Sequence, residues 1–97
     1  MIYSTLYKVK NRSQNSVIVE LCDKNHPVFK AHFPVKPVLP GFIHFEIVSD
    51  IFDLEVNTIK KAKFMKMVLP KQLLTYLKDE NKFKVICEGE EVASFSL

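Results

Sequence analysis

The sequence predicts an α+β chain in which an antiparallel sheet curls around one central helix. Three observations carry this. From Phe42 to Leu54 an apolar run contains neither Gly nor Pro, a length that suits a helix of about three to four turns. Around it lie short segments rich in β-branched and aromatic residues, separated by polar clusters, which read as the order β-β-α-β-β-β-β. Between the second strand and the helix, Pro34, Pro37 and Pro40 stand within seven residues. They fix φ and remove backbone donors, so residues 32 to 40 form a stiff extended loop rather than a helix or a central strand.

Taken in order, residues 2 to 9 (Ile-Tyr-Ser-Thr-Leu-Tyr-Lys-Val) predict a strand that ends at the polar cluster Lys10 to Asn15. A second strand follows from Ser16 to Cys22, where Val17, Val19 and Leu21 alternate with Ile18 and Glu20. A hairpin is the economical reading. Asp23 to Asn25 closes that strand and opens a long loop containing His26-Pro27-Val28-Phe29. The helix is expected from Phe42 to about Asp53. At about 100° per residue, Glu46, Ser49, Asp50 and Asp53 share one narrow stripe, while Ile43, Ile47, Val48, Ile51, Phe52 and Leu54 fill most of the rest. Such a helix is mostly buried and needs a sheet around it. The remaining strands are expected at Thr58 to Met67, Leu73 to Lys78, Phe83 to Glu88 and Val92 to Leu97, with turn chemistry at Lys78 to Lys82 and Gly89 to Glu91. No internal repeat, linker or low-complexity tract interrupts residues 1–97, which read as one domain.

Composition narrows the function classes. A chain of 97 residues is near the lower end of what buries a self-sufficient core, and a hydrophobic fraction of 47% with eight Phe points to surface lost to an interface. The net charge of +3 is too weak and scattered to argue for nucleic acid. The one dense run, Lys60-Lys61-Ala62-Lys63, reads as a solvated strand edge and would also suit an acidic protein partner. No stretch approaches the ~20 apolar residues of a membrane span. Met1 to Asn11 lack the apolar core of a secretory signal, so a cytoplasmic location is expected. Cys22 and Cys87 then read as reduced, buried small hydrophobes. Cys22, His26 and His32 match no metal-site spacing and lack a fourth ligand, so no metal is expected.

Chemistry gathers where the proline loop enters the helix. His32 leads the loop. One reading makes it an imidazole that satisfies loop carbonyls; the other makes it a base active near pH 7. Gly41 either relieves the bend after Pro40 or brings an unpaired amide at the positive end of the helix dipole close to a ligand oxygen. Glu46, on helical spacing alone, belongs to a solvated acidic stripe. His44 falls in the apolar arc, about 200° around the helix from Glu46, which places it in a hydrogen bond within the core or an interface. His26 reads as a loop-surface residue.

The pattern His32-Phe33-Pro34, Pro37-Val38-Leu39-Pro40-Gly41 and a Glu fourteen residues after the His resembles the 3-hydroxyacyl-acyl-carrier-protein dehydratases of the hot-dog fold. The likeness extends to Lys63-Phe64 and Pro70 and to Val92-Ala93-Ser94, and covers most of the chain. The sequence departs from the family at Ala31 and Val35, where Gly is usual, at Asp50 where Gln is usual, and at Pro70-Lys71-Gln72 in place of Pro-Gly-Asp. The resemblance implies a single hot-dog domain and a dimer, or an oligomer built from dimers, with His and Glu of each site contributed by opposite subunits. It assigns His32 and Glu46 as catalytic residues and Gly41, Phe42 and Phe33 as substrate-binding residues. A carboxyl facing an apolar acyl tunnel can retain a proton at neutral pH and give it to the leaving hydroxide. The substrate would be a 3-hydroxyacyl thioester on the phosphopantetheine arm of acyl carrier protein, in fatty-acid-type or related lipid or polyene synthesis, with no diffusible cofactor or metal. Two rivals stay open: a hot-dog acyl-thioesterase, against which the His-Phe-Pro motif argues, and an inactive acyl-binding or partner subunit, which the lost Gly and Gln positions keep alive.

Overall fold

The first hairpin forms where the sequence alternates, but it runs further than composition suggests. In the computed structural model, which describes residues 5–31 and 37–97, strand β1 spans Tyr7–Arg12 and β2 spans Ser16–Leu21, paired antiparallel. The polar residues Lys10 to Arg12, expected in the turn, continue β1 through Asn11↔Ile18 and Arg12↔Val17, past an irregularity between Val9 and Asn11. An edge strand leaves polar side chains in water, so their presence does not stop pairing. The turn tightens to residues 13–15, where the Ser13 amide donates to the Ser16 carbonyl at 2.7 Å.

A short helix, α1 (Pro27–Ala31), replaces the loop expected after β2. Proline is well suited to a first helical turn, and the residue before it supplies the cap. His26 Nδ1 accepts the Val28 amide at 3.0 Å, and the His26 carbonyl accepts the Phe29 amide at 3.0 Å. The His26 ring is buried and its Nε2 meets Thr5 Oγ1 at 3.1 Å, so it is a structural cap and not the loop-surface residue expected.

The central helix, α2, spans Ile43–Ile51 and is flanked by Phe42 and Phe52, close to the predicted limits. Its buried face is Ile43, His44, Ile47, Val48 and Ile51. Its C-terminus is closed by several devices: Ser49 Oγ donates to the Leu54 carbonyl at 2.6 Å, Arg12 donates to the Ile51 carbonyl, and Asp53 takes a left-handed φ of 51°.

Strands β3 (Lys61–Phe64), β4 (Leu73–Asp79), β5 (Lys82–Cys87) and β6 (Glu90–Ser96) complete a six-stranded antiparallel sheet in the order β1-β2-β4-β5-β6-β3. The predicted ten-residue strand from Thr58 shrinks to four residues because only Lys61 to Phe64 find partners on β6. Two tight turns, Glu80-Asn81 and Glu88-Gly89, join β4 to β5 and β5 to β6. The register aligns Val17, Tyr76, Val85, Ala93 and Phe64 as one row across five strands. Val17, Tyr76, Val85 and Ala93 of that row, with their neighbours Val19, Leu74, Phe83 and Phe95, form one core with α2, while Phe64 at the end of the row is half exposed. Phe45 meets Phe95 edge-on at 4.8 Å and 86°, a geometry worth about 1 kcal/mol beyond its area. A curled antiparallel sheet with one helix packed on its inner face is the hot-dog arrangement expected.

Candidate active site at the entry to the central helix

The loop into α2 is fixed before the helix begins. The Leu39 amide donates to the Val68 carbonyl at 2.7 Å, tying residues 37–40 to the segment after β3. The first turn is tight: the amides of Ile43, His44 and Phe45 donate to the carbonyls of Pro40, Gly41 and Phe42 at 3.1 to 3.2 Å. Those three amides are therefore engaged, and the Gly41 amide is not among them.

A cavity of about 390 Å³ opens here, lined by Val38, Leu39, Pro40, Gly41 and His44 on one side and Phe64 to Val68 on the other. A Cβ added at Gly41 would lie 3.0 Å from Phe64 Cε1, so glycine at this position keeps the aromatic ring close to the backbone. His44 is 3% exposed, its Nδ1 lies 2.7 Å from the Tyr76 hydroxyl, and its ring stacks near Phe64 at a centroid distance of 6.3 Å. Burial pushes its pKa down to about 4, which keeps the imidazole neutral at pH 7. The expected core hydrogen bond is present. Sequence reasoning missed that the same ring also forms part of a cavity wall, and that Phe64 and Tyr76 support it; a histidine inside an otherwise apolar helical arc was the available signal.

Glu46 faces elsewhere. It is exposed on α2 and, with Phe42, Phe45, Ser49, Val56 and Ile59, lines a second cavity of about 270 Å³. Within one chain, then, Gly41 and Glu46 border different cavities, as about 200° of helical rotation between His44 and Glu46 requires. Phe42 accompanies Glu46 and is half exposed. His32 and Phe33 lie outside the described residues. Of the expected acidic stripe, Glu46 and Asp50 are exposed and Ser49 is half-buried on α2, while Asp53 is exposed beyond the end of the helix.

Comparison with known proteins decides the family. The model of the ApeI-like family, described as ApeI dehydratase, matches residues 9–96. The chain belongs to the ApeI-like dehydratase family. Among solved structures, the dehydratase heterocomplex ApeI:P from Xenorhabdus doucetiae is similar at 22% identity, with a TM-score of 0.69 over 91% of this chain and 89% of that one. An uncharacterized protein from Erwinia carotovora subsp. atroseptica is similar at 18% identity, with a TM-score of 0.51 over 92% and 87%. No curated protein matches.

Three residues of this ApeI-like chain that depart from the dehydratase pattern have structural uses. Asp50 accepts a hydrogen bond from the Tyr7 hydroxyl, joining α2 to the edge strand β1; burial and the adjacent carboxylate push the Tyr7 phenol up. Lys71 takes a left-handed φ of 67° in the turn before β4, a conformation that favours glycine. Its amide donates to the Cys22 carbonyl at 2.9 Å, and Gln72 Oε1 accepts the Leu69 amide at 2.8 Å. Among the described residues, no helix of this ApeI-like chain is long and apolar enough to cross a membrane.

Proposed function

We propose that this chain removes water from 3-hydroxyacyl thioesters carried on acyl carrier protein in the cytoplasm, as a step of fatty-acid-type or related lipid or polyene synthesis. Membership of the ApeI-like dehydratase family over residues 9–96 carries the reading. The proposed division of labour uses each residue for what its chemistry allows. His32 takes the α-proton beside the thioester carbonyl, and the electron pair of that C–H bond becomes the new C=C bond. The β C–O bond breaks, and the hydroxide leaves as water with a proton from Glu46. The Gly41 amide polarises the thioester oxygen as enolate-like charge develops, with Phe33 and Phe42 against the acyl group.

Because Gly41 and Glu46 border different cavities in one chain, the reading needs a second subunit to bring a complementary residue to each. Strand β3 supports this. Its outer edge has no neighbour among the described residues, and Phe64, Met65, Met67 and Leu69 are exposed beside it. Edge-to-edge pairing of two copies would extend the sheet and cover that surface.

The ApeI-like neighbour is a heterocomplex, which favours a second reading in which a different hot-dog subunit occupies the same edge and this chain is the binding or partner subunit. One experiment separates the readings. The protein is incubated with an enoyl pantetheine thioester, and hydration and free thiol are followed separately. Hydration without thiol release supports the dehydratase, and thiol release supports a thioesterase. Neither reaction from the isolated chain supports the partner subunit.

A further inference from the structure

The cavity beside Gly41 has mostly apolar walls: Val38, Leu39, Phe64, Met65, Met67 and Val68. Among the described residues, two polar side chains line it, those of His44 and Lys66. Lys66 is engaged in an ion pair with Glu90, so among the described side chains His44 is the one placed to address a ligand, beside the backbone amide of Gly41.

The tautomer of His44 follows from its partner. The Tyr76 hydroxyl is wholly buried and has no other hydrogen-bond partner among the described residues. Its proton therefore goes to His44 Nδ1, since the reverse arrangement would leave a buried O–H without an acceptor. A neutral imidazole that accepts at Nδ1 carries its own proton on Nε2. That nitrogen makes no hydrogen bond among the described residues. His44, 3% exposed, lines the cavity, and Nε2 is the ring nitrogen that the bond to Tyr76 leaves for a ligand there. Stacking against Phe64 and the bond to Tyr76 hold the ring in place on two sides.

We propose that the Nε2–H of His44 is a specificity-determining donor that selects thioesters whose acyl group carries an oxygen acceptor over thioesters of plain hydrocarbon chains. The inference deepens the thioester reading above and rests on it. A hydrocarbon chain filling the cavity would strip water from this N–H and return nothing. An ether, carbonyl or hydroxyl oxygen at the right depth replaces that water, and sites built around such a bond discriminate strongly against analogues that lack it. Being neutral, the donor favours an uncharged acceptor and does not recruit a carboxylate by charge.

The test measures binding, so it does not depend on turnover. Saturated acyl pantetheine thioesters of one length, either all-carbon or with a single ether oxygen moved stepwise along the chain, are titrated calorimetrically into the protein. One oxygen position is expected to bind about tenfold or more tightly than the all-carbon chain. His44→Gln, which keeps a donor, should retain part of the preference. The double variant His44→Phe with Tyr76→Phe should abolish it while remaining folded, because both members of the buried bond are replaced by apolar rings. Nitrogen-15 NMR of the parent should show His44 protonated at Nε2. Equal affinity across the series, a preference that survives the double variant, no binding by any member, or an Nδ1–H tautomer would each overturn the proposal. A failure of the dehydratase reading would look different: no hydration of an enoyl thioester, with the binding preference intact.

Discussion

The ring of Phe64 occupies the space that a side chain on Gly41 would need, with Cε1 only 3.0 Å from the position of a Cβ. Phe64 is 49% exposed, so the ring can swing outward. Gly41→Ala should therefore fold and cost less than the ~1–3 kcal/mol of overpacking a closed core. Displacing the ring disturbs the cavity mouth, and thioester turnover should fall about tenfold or more. Phe64→Leu in the same chain should restore part of it. Turnover unchanged in Gly41→Ala would detach this cavity from the reaction.

Lys71 offers the opposite experiment. Its φ of 67° places a long side chain in the left-handed region, at a cost on the order of 1 kcal/mol that glycine does not bear. Lys71→Gly should raise stability by up to about that amount, shifting the melting temperature upward by a few degrees, with turnover unaffected.

Stability should depend on pH through His44. Its pKa is about 4 in the fold against 6.5 when unperturbed, so between those values the unfolded chain binds more protons and stability rises with pH. The contribution is complete above about pH 6.5, and roughly 3 kcal/mol of it is lost by pH 4. His26, lowered chiefly by burial, acts in the same direction. Urea melts at pH 7 and pH 5 should show the difference, and His44→Gln should flatten it.

His32 and Glu46 are required in different protonation states if one removes the α-proton and the other protonates the leaving hydroxide. The rate should then be bell-shaped in pH, and His32→Ala and Glu46→Gln should each lower turnover about 10²-fold or more with a smaller effect on substrate binding. A correctly folded Glu46→Gln protein with the parental rate would leave Glu46 as part of a solvated acidic face with Asp50.

Sedimentation at micromolar concentration should give a dimer, alone or on addition of a second hot-dog subunit. Met67 is 61% exposed beside β3, and Met67→Lys should weaken that association without changing the circular dichroism of the subunit. A parent that stays monomeric under both conditions would remove the shared site.

Whatever depends on near neighbours along the chain was legible in the order of its residues. The helix Ile43–Ile51 was legible because an apolar run free of Gly and Pro follows three prolines. Most strands were legible from alternation and from turn residues such as Glu88-Gly89. The family was legible from the spacing of His32, Gly41 and Glu46. Features that depend on pairing between distant segments emerged with the folded chain. Register with β2 carried β1 on to Arg12, and the partners available on β6 cut β3 to four residues. The cap supplied by His26 to Val28 turned an expected loop into α1. The same holds for the two cavities. Helical periodicity separates His44 from Glu46, but it cannot say that Tyr76, 32 residues away, would meet Nδ1. Nor can it say that Phe64 would close against Gly41. A hydrogen bond or a ring contact between remote residues is fixed by how the sheet curls over the helix, and that geometry is a property of the folded chain.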